Sequence, residues 1–138
     1  MAGYSGKPLV AKLGIKPGAR VALLNAPAGY AETLGELPAD VKLFRSAKPP
    51  LDFVQCFEKN AARLEARIAE LRPAIVPDGM IWISWPKKSS GVATDVTEDV
   101  VRGLALAAGL VDVKVCAVDD TWSGLKLVIP RKLRPATK

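Results

Sequence analysis

The chain is predicted to form an α/β domain, a three-layer sandwich whose mainly parallel sheet carries helices on both faces and ends in an antiparallel hairpin. Three observations predict this class. Short apolar runs alternate with helical periodicities along the sequence. One run, Arg20-Val21-Ala22-Leu23-Leu24, is apolar on both faces, as a strand covered from two sides must be. Two further runs near the C-terminus stand close enough to pair as a hairpin.

The elements follow in order. Pro8 suits the first turn of a short helix through Leu13, which Gly14 stops, and Lys16-Pro17-Gly18 turns into the first strand at Arg20–Leu24. Between Tyr30 and Gly35 there is room for one or two helical turns before Pro38, and Val41–Phe44 offers a short second strand. Lys48-Pro49-Pro50 stiffens the next connection, and Leu51–Phe57 is rich in aromatic and β-branched residues, hence a third strand. Leu64, Ile68 and Leu71 share one face of a helix that ends at Arg72-Pro73. Pro77-Asp78-Gly79 reads as a turn into a strand at Met80–Trp85, whose alternation sends Trp82 and Trp85 to opposite faces. Thr97 is a candidate N-cap, with Glu98 and Asp99 at the positive end of a helix whose stripe is Val101, Leu104, Ala105 and Ala108 and whose stop is Gly109. Val111–Val118 and Leu125–Ile129 complete the sheet. The succession is that of a small Rossmann-like domain, residues 1–130, followed by a basic tail, 131–138.

Composition narrows the chemistry. Hydrophobic residues make up 49% and charged residues 25%, the ordinary globular range. No run approaches the ~20 apolar residues a bilayer requires, and Met1–Gly6 lacks a secretory layout, so a cytoplasmic location is expected. Histidine is absent, which removes imidazole bases, Ser-His-Asp and Cys-His systems and most zinc sites; no metal site is expected. Cys56 and Cys116 lie in strand-like runs and read as small core side chains. Four basic residues and no acid occupy the tail, so most of the net charge of +6 is terminal and nucleic acid is not an expected partner.

In an open parallel sheet ligands gather outside the carboxyl ends of the strands, where strand order reverses. Three loops belong there: Asn25–Tyr30, Glu58–Asn60 and Pro86–Thr94. The first stands where a glycine-rich loop is expected, yet it reads Asn25-Ala26-Pro27-Ala28-Gly29-Tyr30, and Pro27 removes a backbone donor. The third holds Lys87, Lys88, Ser89 and Ser90 just past a strand, two cations and two hydroxyls suited to a phosphate or carboxylate, with Trp85 beside them. Asn25, Tyr30, Trp85, Lys87, Lys88, Ser89 and Ser90 are therefore the candidate ligand-binding residues. Each has a plainer alternative: turn formation for Asn25, packing for Tyr30 and Trp85, solvation or backbone capping for the loop residues. Asp95, Glu98, Asp99 and the pair Asp119-Asp120 read as capping and turn acids.

Leu13–Val21, Leu51–Val54, Pro77–Ile83 and Ala108–Val113, in that order, resemble class I S-adenosylmethionine-dependent methyltransferases. The resemblance implies a helix before the first strand and a final antiparallel hairpin. The chain also resembles a family of small uncharacterised bacterial proteins, a domain of unknown function, in Leu23–Pro27, Leu51–Val54 and Trp85–Gly91. Against the methyltransferase pattern, the glycine-rich loop is missing and Phe44-Arg45-Ser46 puts a cation where an acid holds ribose hydroxyls. The sequence thus leads to an expected protein that binds a small anionic ligand at the strand ends and takes no cofactor. A divergent S-adenosylmethionine-dependent methyltransferase is the enzymatic alternative. An interaction module, a homo-oligomer through the shortened sheet edge at Val41–Phe44, is the third.

Overall fold

The computed structural model describes residues 8–134. Ten regular elements follow one another: α1 (Leu9–Leu13), β1 (Arg20–Leu24), α2 (Tyr30–Leu34), β2 (Lys42–Phe44), β3 (Leu51–Phe57), α3 (Ala61–Leu71), β4 (Ile75–Pro86), α4 (Glu98–Ala107), β5 (Val111–Ala117) and β6 (Trp122–Val128). The strands form one sheet in the order β2-β1-β3-β4-β6-β5. The first four are parallel, and the last two enter antiparallel as a hairpin. This is the expected α/β sandwich. The readings of Met1–Gly6 and of the end of the tail lie outside the described residues, among which no helix is long and apolar enough to cross a membrane.

Two apolar layers hold the sheet. On one face Ala22, Val54, Cys56, Ile81, Ile83 and Trp85 pack beneath Leu64, Ile68 and Leu71 of α3 and Val101 and Ala105 of α4. On the other, Val21, Phe53, Phe57 and Trp82 meet Leu13 of α1 and Tyr30 and Leu34 of α2. Trp82 and Trp85 therefore divide between faces as strand alternation requires. Both long helices carry side-chain caps: Asn60 accepts from the Arg63 amide at 2.9 Å, and Thr97 from the Val100 amide at 3.2 Å.

Two boundaries differ by more than a residue or two from the expected ones. Pro77-Asp78-Gly79 is no turn before β4 but an excursion within it, because Leu51 pairs with Ile75 and Phe53 already pairs with Met80. Gly79 is required there, since a Cβ would sit 3.1 Å from the Leu51 and Val76 carbonyl oxygens. Trp122, ahead of the expected strand Leu125–Ile129, opens β6: the Asp119 carboxylate accepts from the Thr121 and Trp122 amides, both at 2.8 Å, and closes the hairpin early. At the far edge the register of β5 slips between Asp112 and Lys114, a bulge that blunts an otherwise free strand.

Candidate functional site

Strand order reverses between β1 and β3, and the residue at that point is Asn25. It adopts a left-handed backbone, φ 58°, which asparagine tolerates better than other branched or bulky residues. Its side-chain amide donates to the Phe57 carbonyl at 2.9 Å, tying the end of β1 to the end of β3. Four residues later Gly29 is left-handed at φ 80° and starts α2. The loop thus makes its sharp reversal with Asn25 and Gly29, and Pro27 sits between them without having to bend the chain.

This loop walls a cleft of about 690 Å³, a size that suits a small ligand. Residues 23 and 25–32 form one side, and Leu43, Phe44 and Arg45, at the end of β2, form the other. Leu43 is 46% exposed, an apolar surface left open beside the cleft. Arg45 supplies a cation. The carboxylate that the sequence lacks after β2 enters from a different element: Glu32, in the first turn of α2, lines the same cleft. Sequence reasoning missed Glu32, because an acid in a helix's first turn looks like any dipole-complementing residue.

Tyr30 lies beneath the loop, buried at 3% exposure. Its hydroxyl donates to Oε1 of Gln55, whose Nε2 donates to Oγ of Ser84 at 3.1 Å. Its ring meets Phe57 edge-on at 4.7 Å between centroids. Burial pushes the phenol well above its usual range, the Gln55 bond opposing this only in part, so the hydroxyl stays protonated and serves as a donor. Tyr30 therefore supports the cleft floor. We expect Tyr30→Phe to strip Gln55 of its donor and cost about 1–3 kcal/mol in urea unfolding; an unchanged midpoint would show the bond to be dispensable.

The remaining candidates gather elsewhere. Trp85, Lys87 and Lys88 line a second hollow of about 590 Å³ with Thr94, Thr97, Glu98 and Ser123, at the end of β4. Trp85 is 6% exposed and belongs to the core under α4. The Ser90 hydroxyl is committed to the backbone, donating to the Lys87 carbonyl at 2.6 Å and accepting from the Val92 amide at 3.1 Å. Ser89 is exposed on the same short turn. The structure thus separates Asn25 and Tyr30 from Trp85, Lys87, Lys88, Ser89 and Ser90. Between the two groups lies Glu58, whose Oε1 accepts from the Lys59 and Asn60 amides at 3.0 and 3.2 Å and whose side chain, with Asn25 and Arg63, borders a shallow hollow along α3. Of the acids, Asp95 caps α3 rather than α4, accepting from the Ala61 amide at 2.7 Å.

No family model and no curated protein matches the chain, so the expected membership of an uncharacterised bacterial family gains no support. Solved structures do match. Magnesium protoporphyrin IX methyltransferase from Synechocystis PCC 6803, with bound S-adenosylmethionine, is 16% identical with a TM-score of 0.62 over 87% of this chain and 74% of its own. A SAM-dependent methyltransferase from Aquifex aeolicus is 16% identical with a TM-score of 0.63 over 87% of each chain. The ribosomal protein L11 methylase from Lactobacillus delbrueckii subsp. bulgaricus follows at 14% identity and a TM-score of 0.58, over 87% and 74%. At these identities the likeness shows the fold: the chain has a methyltransferase-like Rossmann fold.

These neighbours overturn two expectations, that the protein binds a small anionic ligand without S-adenosylmethionine and that it takes no cofactor. The divergent-methyltransferase alternative is better supported. The reason for the error is structural. The loop turns without a glycine-rich string, because Asn25 and Gly29 provide its two left-handed positions. Arg45 after β2 does not leave the cleft without an acid, because Glu32 of α2 lines it too.

Proposed function

We propose that the protein is a divergent S-adenosylmethionine-dependent methyltransferase whose cofactor lies in the cleft between the Asn25–Glu32 segment and Leu43–Arg45. The observation that carries this reading is the cleft's position: it opens at the carboxyl ends of β1 and β2, next to the strand-order reversal, in a sheet shared with methyltransferases. The donor set fits a ligand that bears both charges. Glu32 offers a carboxylate to hydroxyl or ammonium hydrogens, Arg45 a guanidinium to a carboxylate, and Leu23, Pro27 and Leu43 an apolar wall. When bound, the cofactor supplies an electrophilic sulfonium methyl group. Asn25 holds the loop in place through Phe57, and Tyr30 supports it from below. Trp85 and Lys87–Ser90 stand apart from the cofactor in this reading.

Ligand-dependent stabilisation tests it. At a concentration about 100 times Kd, S-adenosylmethionine or its demethylated product should add about 2.7 kcal/mol to the unfolding free energy. A thermal melt should rise accordingly, by several degrees. No shift at millimolar ligand, beside a methyltransferase control that does shift, would remove the proposal.

A further inference from the structure

Charge that the sequence spreads over more than a hundred residues converges in the structure. Lys114 of β5 stands directly opposite Lys126 of β6 in the antiparallel register. The Lys114 ammonium reaches the end of α1, donating to the Lys12 carbonyl at 3.2 Å. Burial and the neighbouring charges of Lys114 and Lys16 together push the Lys126 ammonium below its usual range, and Lys12 and Lys114 both act on the Cys116 thiol. Four lysines from three separate segments thus share the α1 side of the hairpin.

The arrangement is costly to the fold. Like charges directly opposite across a sheet repel. Lys16, Lys114 and Lys126 take part in none of the ion pairs among the described residues, which are made by Arg67 and Arg102. Lys16 also lines a hollow that holds Asp52 and Asp78. Asp112, two residues before Lys114, is held by Arg102 at 3.0 Å. Because of the bulge it faces the α4 side, opposite Leu127, while Lys114 faces the other side with Lys126.

We propose that this surface, Lys12, Lys16, Lys114 and Lys126, docks the phosphate backbone of a nucleic acid. A backbone of closely spaced, permanently ionised phosphates matches cations held at cross-strand spacing on a rigid hairpin. A membrane surface matches less well, for α1 has five residues and turns Val10 and Leu13 into the core, leaving no amphipathic face to insert. Lysine contacts to phosphate oxygens read no base edge, so the contact is sequence-tolerant. The charge the sequence assigns chiefly to a basic tail has a second, structured centre here.

The test is fluorescence anisotropy of a labelled mixed-sequence 20-nucleotide single-stranded RNA across a salt series, without S-adenosylmethionine. Four phosphate contacts predict a log–log salt slope of about −2.8 for a single strand. Lys114→Glu/Lys126→Ala should flatten it by about 1.4 and weaken binding at least tenfold at low salt. Lys114→Glu alone exchanges a like-charge pair for an opposite one across the hairpin but gives up the bond to the Lys12 carbonyl, so it should weaken binding while melting within a few degrees of the parent protein, which separates lost docking from lost folding. Arg131→Ala/Lys132→Ala should leave most of the slope in place. Three results would overturn the proposal: no RNA binding at 25 mM salt, loss that follows the tail variant and not Lys114→Glu, or binding to phosphatidylserine vesicles with none to RNA.

Discussion

Trp82→Ala is expected to lower the unfolding free energy by about 3–5 kcal/mol and the melting temperature by on the order of 10–20 °C. Trp82 is fully buried at the centre of the α1/α2 layer. Its indole N–H donates to the Leu13 carbonyl at 2.8 Å, so it fixes α1 to the sheet as well as filling space. On the neighbouring strand Gly124 has no side chain because a Cβ there would lie 3.1 Å from the indole Cε3. That slot is cut for a large ring, and neither five-residue helix can close over its loss. Trp82→Phe should fall between, keeping most of the apolar volume and leaving the Leu13 carbonyl without its donor, at about 1–3 kcal/mol. Urea unfolding of both variants checks this; a loss below about 1 kcal/mol for alanine would mean the layer repacks.

Glu32→Ala should weaken S-adenosylmethionine binding by roughly 10- to 100-fold, the loss expected when a charge-assisted hydrogen bond of about 1.5–3 kcal/mol disappears. The fold should not notice. Glu32 is exposed and its carboxylate makes no hydrogen bond or ion pair among the described residues, so only its place at the positive end of α2 is at stake. Calorimetric titration together with a thermal melt separates the two effects. An unchanged Kd would take Glu32 out of the cleft's chemistry, and equal losses of affinity and stability would make its role structural.

The contrast between these two residues shows what the sequence carried. Strand alternation around Trp82, the N-cap at Thr97 and the both-sided apolar run at Arg20–Leu24 are local patterns, and local patterns give the layers and the sheet. Glu32 and Arg45 line one cleft only because β2 pairs in parallel beside β1, a long-range fact with no signature in their spacing. Asn25 was legible as a candidate, but its left-handed backbone and its bond to Phe57 were not. The Lys87–Ser90 string reads as a candidate because its residue types suit an anion, and the two bonds that tie the Ser90 hydroxyl to its own turn have no signature in that string. The Lys114–Lys126 pair escaped for the same reason as Glu32, since charge counted along a chain says nothing of charge gathered across strands.

The central claim is that the cofactor is held by the first loop and the end of β2. Backbone amide chemical shifts measured on adding S-adenosylhomocysteine test it most directly. The account predicts perturbations concentrated at residues 25–32, Pro27 having no amide, and at 43–45, with little change at 87–97. Perturbations confined to the Lys87–Thr97 segment, or none at saturating ligand, would contradict it.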